Sequence, residues 1–112
     1  MTYAVIAPGK TYSGVHDVPQ LITDDVEAAR REARRLVAKF TRKGWKSWAG
    51  RVKIQSPKTP QAYMDLADLA AGRGHDLDMA MQGNGSAGPE LINWANILRK
   101  RADELASPYN ED

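Results

Sequence analysis

Residues 24–44 have the pattern of one long amphipathic helix. Apolar side chains recur every three or four positions and therefore lie along one side of a helix. These are Val26, Ala29, Ala33, Leu36, Val37 and Phe40. Asp24 can cap the first turn, with Glu27 three residues later, and Gly44 suits the position just past the last turn. Such a helix needs another element against which its apolar side can be buried.

The outer side of this helix and the residues that follow it are rich in cations. Residues 30–53 contain ten Lys or Arg and a single acid, Glu32, with Trp45 and Trp48 among them. Fixed cations bind phosphate, and aromatic rings beside them stack on unpaired bases. The segment therefore predicts a surface for DNA or RNA, without strong sequence preference. Its candidate binding residues are Arg31, Arg34, Arg35, Lys39, Arg42, Lys43, Trp45, Lys46, Arg51 and Lys53.

A plainer interpretation of the same residues stays open. Acids at the start of the helix and cations at its end complement the helix dipole, so helix stability alone explains part of the charge pattern. The cations would then form a solvated face, and Trp45 and Trp48 would anchor the core at the corner between helix and strand.

The two halves of the chain differ in charge. Residues 1–56 hold 11 Lys or Arg and 5 Asp or Glu, a net of +6, whereas residues 57–112 hold 5 and 9, a net of −4. This asymmetry indicates a charged partner. Besides nucleic acid, it favours a protein-interaction or regulatory module. One form of such a module is a homo-oligomer in which the basic half of one copy meets the acidic half of another.

The remaining pattern predicts a small α+β fold, with a sheet of two or three strands packed by the long basic helix and two C-terminal helices. Residues 3–7 are predicted to be a strand that ends in a turn at Pro8-Gly9. Residues 11–15 are predicted to return as a second strand of the hairpin, and Pro19 closes the segment. Residues 48–55 read as another strand. Its core face would carry Trp48, Gly50, Val52 and Ile54.

Two helices are predicted in the second half of the chain. Thr59 caps the first of them and Pro60 is its first residue, while Gly72 ends it. The last helix begins at Pro89 and ends at Ser107-Pro108. Residues 72–88, rich in glycine, are predicted to be a loop. Within it, a short helical turn at 76–81 docks lightly and 82–88 are mobile.

Length and composition favour one domain over residues 1–112. A weak boundary lies at 56–60, but each half looks too small for a core of its own. No cysteine is present, which excludes disulfides and thiol chemistry. No apolar run approaches the length of a membrane span, and no leader pattern precedes the first strand, so a cytoplasmic protein without a membrane partner is expected.

Two motifs with possible chemistry are weak. Residues 7–11 resemble a phosphate-binding loop, but the first glycine of that pattern is replaced by Ala4 and no helix follows. His75, Asp76 and Asp78 combine imidazole and carboxylate without further metal-ligand spacing. The chain is therefore expected to be no enzyme, with no catalytic residue, no metal site and no cofactor.

Overall fold

The structure, a computed structural model, describes residues 1–80 and 85–106. Its contacts form two compact units, Met1–Ser56 and Pro57–Asp112, here called the N-terminal and C-terminal units. The first holds a three-stranded sheet with helices and the second two long helices, so the predicted α+β class is confirmed. The division between the units falls at the weak boundary that the sequence indicated at 56–60. A single domain over 1–112 stays a prediction.

The N-terminal unit consists of three strands and two helices. In chain order they are β1 (Tyr3–Thr11), β2 (Gly14–Thr23), α1 (Val26–Arg42), α2 (Lys46–Ala49) and β3 (Lys53–Gln55). The sheet has the order β2-β1-β3, and both pairings are antiparallel. β1 is therefore the central strand, with β3 alongside only Ala4–Ile6.

The first hairpin is longer than predicted. β1 continues through Pro8-Gly9, and the chain reverses instead at Tyr12-Ser13, so the predicted turn at Pro8-Gly9 was wrong. Proline is tolerated here because Pro8 lies beyond the part of β1 that β3 flanks. Gly14 closes the turn with a φ of 121°, which side-chain-bearing residues rarely adopt. Pro19 does not close a segment, since it lies within β2.

α1 confirms the predicted amphipathic helix. Leu36 and Phe40 are 3% and 4% exposed and pack with Val5 and Ala7 of β1 in one apolar cluster. The N-cap is Asp25 rather than the predicted Asp24, because the Asp25 carboxylate accepts the Glu27 backbone N–H at 2.9 Å. The clustered contacts fix α1 on one face of the sheet and leave its cationic side outward.

Replacing Asp25 by alanine will destabilise the N-terminal unit by about 1 kcal/mol, because the first turn of α1 loses its side-chain acceptor. Urea unfolding monitored by circular dichroism measures the loss. Asp25→Asn is the control, since asparagine caps about as well as aspartate. Equal losses in both variants would show that the cap is not the cause.

The predicted strand over 48–55 was wrong at its start. Trp48 and Ala49 belong to α2, where Ala49 N–H donates to the Trp45 carbonyl at 3.0 Å. Only Lys53–Gln55 pair with β1, and Ile54, expected on the core face, is 38% exposed. Alternation alone cannot separate a short strand from a helical turn. The contact of Trp48 with Phe40 decides the conformation here.

The C-terminal unit is an antiparallel pair of helices, α3 (Pro60–Ala80) and α4 (Ala87–Ala106). Thr59 caps α3 as predicted, accepting the Ala62 N–H at 3.1 Å, and Pro60 is the first helical residue. α4 begins two residues before the predicted Pro89, because the Glu90 N–H already donates to the Ser86 carbonyl at 3.1 Å. The predicted stop at Ser107-Pro108 lies outside the described residues.

The predicted loop over 72–88 was wrong for most of its length. α3 runs through Gly72 to Ala80, and α4 has begun by Ala87. Of the part predicted to be mobile, 82–84 lie outside the described residues. Gly74 and Gly88 explain the departure, because both are buried where the helices cross. A methyl group on Gly74 would lie 2.7 Å from the Gly88 carbonyl oxygen, so these glycines permit a close helix contact rather than a loop.

Candidate nucleic-acid interface

The outer side of α1 carries a row of arginines. Arg31, Arg35 and Arg42 are spaced so that they lie on one stripe of the helix, opposite the buried Leu36 and Phe40. All three are exposed, as is Arg34 beside them. The stripe is straight because α1 is regular over its 17 residues. It therefore presents fixed positive charge on the solvent side of the sheet-helix layer.

Three of the ten cations are held in ion pairs. Arg30 contacts Glu27 at 3.1 Å, and Arg51 contacts Asp17 of β2 at 2.8 Å. Arg35 donates to both carboxylate oxygens of Glu32, at 2.8 and 2.7 Å. These hydrogen bonds raise the pKa of Arg35. Two predicted binding residues, Arg35 and Arg51, are thus partly engaged within the chain.

The other seven cations of residues 30–53 make no ion pair among the residues that the structure describes. Six of them are exposed and Lys39 is half-buried. They are Arg31, Arg34, Lys39, Arg42, Lys43, Lys46 and Lys53. Acidic partners three or four residues away would add helix stability, as Glu32 does for Arg35. Most cations of this surface have no such partner in the described part of the chain.

The turn after α1 places an aromatic ring beside these cations. Gly44, at a φ of 77°, donates to the Thr41 carbonyl at 3.0 Å, and the Trp45 N–H donates to the Phe40 carbonyl at 2.8 Å. This pair of bonds is the Schellman motif, in which the residue after the glycine packs back on the helix. The Trp45 ring accordingly stacks near Phe40, with 6.2 Å between ring centroids.

Trp45 and Trp48 contribute differently to the aromatic cluster. Trp48 packs edge-on to Phe40 at 5.4 Å and lies against the core, as the core-anchor interpretation predicted. Trp45 lies 4.8 Å from Trp48 but remains 40% exposed. The Lys43 ammonium is 4.7 Å from the centre of the Trp45 ring, a cation–π distance.

An open groove of about 480 Å³ runs along this turn. It is lined by Gly44, Trp45, Lys46, Ser47 and Trp48. The structure therefore brings two of the predicted site residues, Trp45 and Lys46, together at one groove, and a third, Lys43, lies over the Trp45 ring. Trp48 and Ser47 were not among the predicted binding residues. Their helical conformation in α2, which turns them toward Trp45, was hidden by the apparent alternation of residues 48–55.

Arg51 and Lys53 lie after α2 rather than on the long strand predicted for them. Lys53 is exposed at the start of β3, where it is opposite Ile6. Arg51 is tied across the sheet to Asp17, a contact between residues 34 positions apart in the chain. No sequence rule of local spacing could have found this pair.

The two weaker motifs lie on regular secondary structure. Residues 7–11 are part of β1, and no helix follows them as a phosphate-binding loop requires. His75, Asp76 and Asp78 lie on α3, not on the predicted loop, and His75 is exposed. Within residues 1–80 and 85–106, no three potential metal ligands cluster. Near them, burial lowers the pKa of Arg73, and the charge of Asp76 acts against that effect.

Comparison with known proteins adds no relative. No family model, no curated protein sequence and no solved structure matches this chain. Among the described residues, no helix is both long and apolar enough to cross a membrane.

Proposed function

We propose that this protein binds nucleic acid without strong sequence preference, through α1, the turn after it and the start of β3. The proposal is one of binding alone, without catalysis. Its main support is a group of seven cations, six of them exposed, that have no acidic partner within residues 1–80 and 85–106, together with the exposed ring of Trp45. Phosphate oxygens are bound by cationic side chains that are held at fixed positions with their N–H groups accessible.

The strength of such a surface depends on salt in a measurable way. If about five of the cations contact phosphates, the affinity for a single strand falls with a log–log slope of about −3.5. Raising salt from about 50 to 200 mM would then weaken binding roughly 100-fold. A surface that bound by apolar contact alone would show almost no such dependence.

Reversing Arg31 and Arg42 to glutamate together will weaken binding by about 10- to 100-fold at low salt and flatten the salt slope. Neither side chain is in an ion pair within the part of the chain that the structure describes, so the substitution removes phosphate contacts without breaking such a pair. Fluorescence anisotropy with labelled oligonucleotides measures the affinity. Circular dichroism checks α1, because a glutamate in its last turn opposes the helix dipole.

Lys58 and Lys100 provide the matched control. Both are exposed cations of the C-terminal unit, and reversing them changes the net charge by the same amount. The control variant should bind nearly as the wild type does. If it weakens binding equally, net charge rather than this surface is responsible. If the folded wild type binds no oligonucleotide at low salt, the proposed function is wrong.

A second candidate is self-association or binding of a charged protein partner. The change of charge along the chain coincides with the unit boundary, since Met1–Ser56 carries +6 and Pro57–Asp112 carries −4. Complementary patches speed encounter and set specificity, and salt screens them within about 8 Å. Sedimentation at two salt concentrations tests the self-association form of this candidate: salt-sensitive dimers support it, and a monomer throughout excludes it.

A further inference from the structure

The Trp45 ring is held in place before any ligand arrives. Its backbone N–H is fixed on the Phe40 carbonyl, and its ring packs on Phe40 and Trp48 at 6.2 and 4.8 Å. A side chain that is already ordered loses little further rotamer freedom on binding. The ring nevertheless stays 40% exposed, so a flat ligand can reach it without unfolding the turn.

The surroundings of the ring fit a base with its phosphate. The Lys43 ammonium, at the end of a long and exposed side chain, lies over the Trp45 ring, 4.7 Å from its centre. We expect an incoming base to displace the Lys43 ammonium from the ring, after which the ammonium can pair with the phosphate of the same nucleotide. Lys46 lines the same groove, and Arg42 ends α1 just before it. The groove, at about 480 Å³, lies within the roughly 300–1,000 Å³ of small-molecule sites.

Whether the site takes a single strand or a duplex depends on which part of a base the Trp45 ring can contact. In a duplex, both faces of each base are stacked on neighbours and only the edges are reachable from the grooves. An aromatic plane stacks on a base face, which is free in a single strand. Resting on the proposed function, we infer that the surface takes single-stranded nucleic acid, with one unpaired base stacked on Trp45 in the groove.

The test compares an oligothymidylate of about 12 nucleotides with a mixed-sequence duplex of the same length, using the full chain. The single strand should bind more tightly. Trp45→Leu keeps apolar bulk but removes the aromatic plane, and should weaken single-strand binding by about 5- to 100-fold while leaving duplex binding unchanged. Trp45→Phe, which retains a ring, should recover most of the loss. Thermal unfolding confirms that each variant is folded.

Fluorescence provides an independent readout. Trp94 belongs to the C-terminal unit, so Trp94→Phe leaves only Trp45 and Trp48 emitting. The single strand should quench this emission, and the duplex should not. Equal binding of both forms, or a Trp45→Leu variant that binds both as the wild type does, would overturn the inference and leave the proposed function standing. No binding of either form by the folded wild type would overturn the proposed function itself.

Discussion

Replacing Phe40 by alanine will destabilise the N-terminal unit by about 3–5 kcal/mol. Phe40 is 4% exposed, and it belongs both to the core under β1 and to the aromatic cluster of the turn. Its removal leaves a cavity and takes away the contact on which Trp45 and Trp48 both rest. Urea unfolding in the Trp94→Phe background measures the change, because the emission then comes from the N-terminal unit alone.

Two controls separate the cavity from a general effect of substitution in α1. Val37→Ala removes a side chain that is 40% exposed and should cost well under 1 kcal/mol. Phe40→Leu keeps much of the volume and should lose less than the alanine variant. If Phe40→Ala unfolds no more easily than Val37→Ala, the core assigned to this unit is wrong.

Gly72 and Gly74 lie two residues apart in α3, and alanine at these two positions will have opposite effects. Gly74→Ala should destabilise the C-terminal unit by about 1–3 kcal/mol, because the new methyl group meets the Gly88 carbonyl oxygen and Ile92 Cγ1, both at 2.7 Å. Gly72 has no atom within 4 Å of that position, so Gly72→Ala should stabilise the helix by about 0.5–1 kcal/mol.

Thermal unfolding of the two variants, followed by far-UV circular dichroism, measures both effects. The pair is well matched, since both changes are Gly→Ala within the same helix. The Trp94 emission reports on α4 in the same samples. Two stabilised variants would mean that the helices do not approach each other at Gly74, and two destabilised variants would mean that Gly72 is not in a helix.

The N-terminal half shows what local pattern can and cannot predict. α1 was predictable because its stripe, its acidic start and Gly44 all indicate the same helix. The turn after it was not predictable, because Trp48 and Val52 lie an even number of positions apart and would share one face of a strand. The contact of Trp48 with Phe40, eight positions earlier, makes it helical instead. Helix and strand boundaries that depend on such packing cannot be predicted from the few residues around them.

The prediction of a loop in the C-terminal half was wrong for a related reason. Glycine is a poor helix former, so Gly72 predicted the end of the helix and the glycines that follow it predicted a loop. What outweighs this preference is the contact of Gly74 with Gly88, fourteen residues away and on another helix. Of the candidate interface, the cations and Trp45 followed from composition and order. The pairing of Arg51 with Asp17 and the groove beside Trp45 depend on tertiary structure.

The sheet has a consequence for the solution behaviour of the chain. An unpaired strand edge is a template on which another chain can add a strand and begin aggregation. Here β2, an edge strand, contains Pro19, which has no N–H to offer, and its register with β1 shifts between Val5 and Ile6. The opposite border is formed by β3, which is only three residues long and starts with Lys53, and beyond it by the part of β1 that contains Pro8. Both borders of the sheet are therefore poor templates for intermolecular β-pairing.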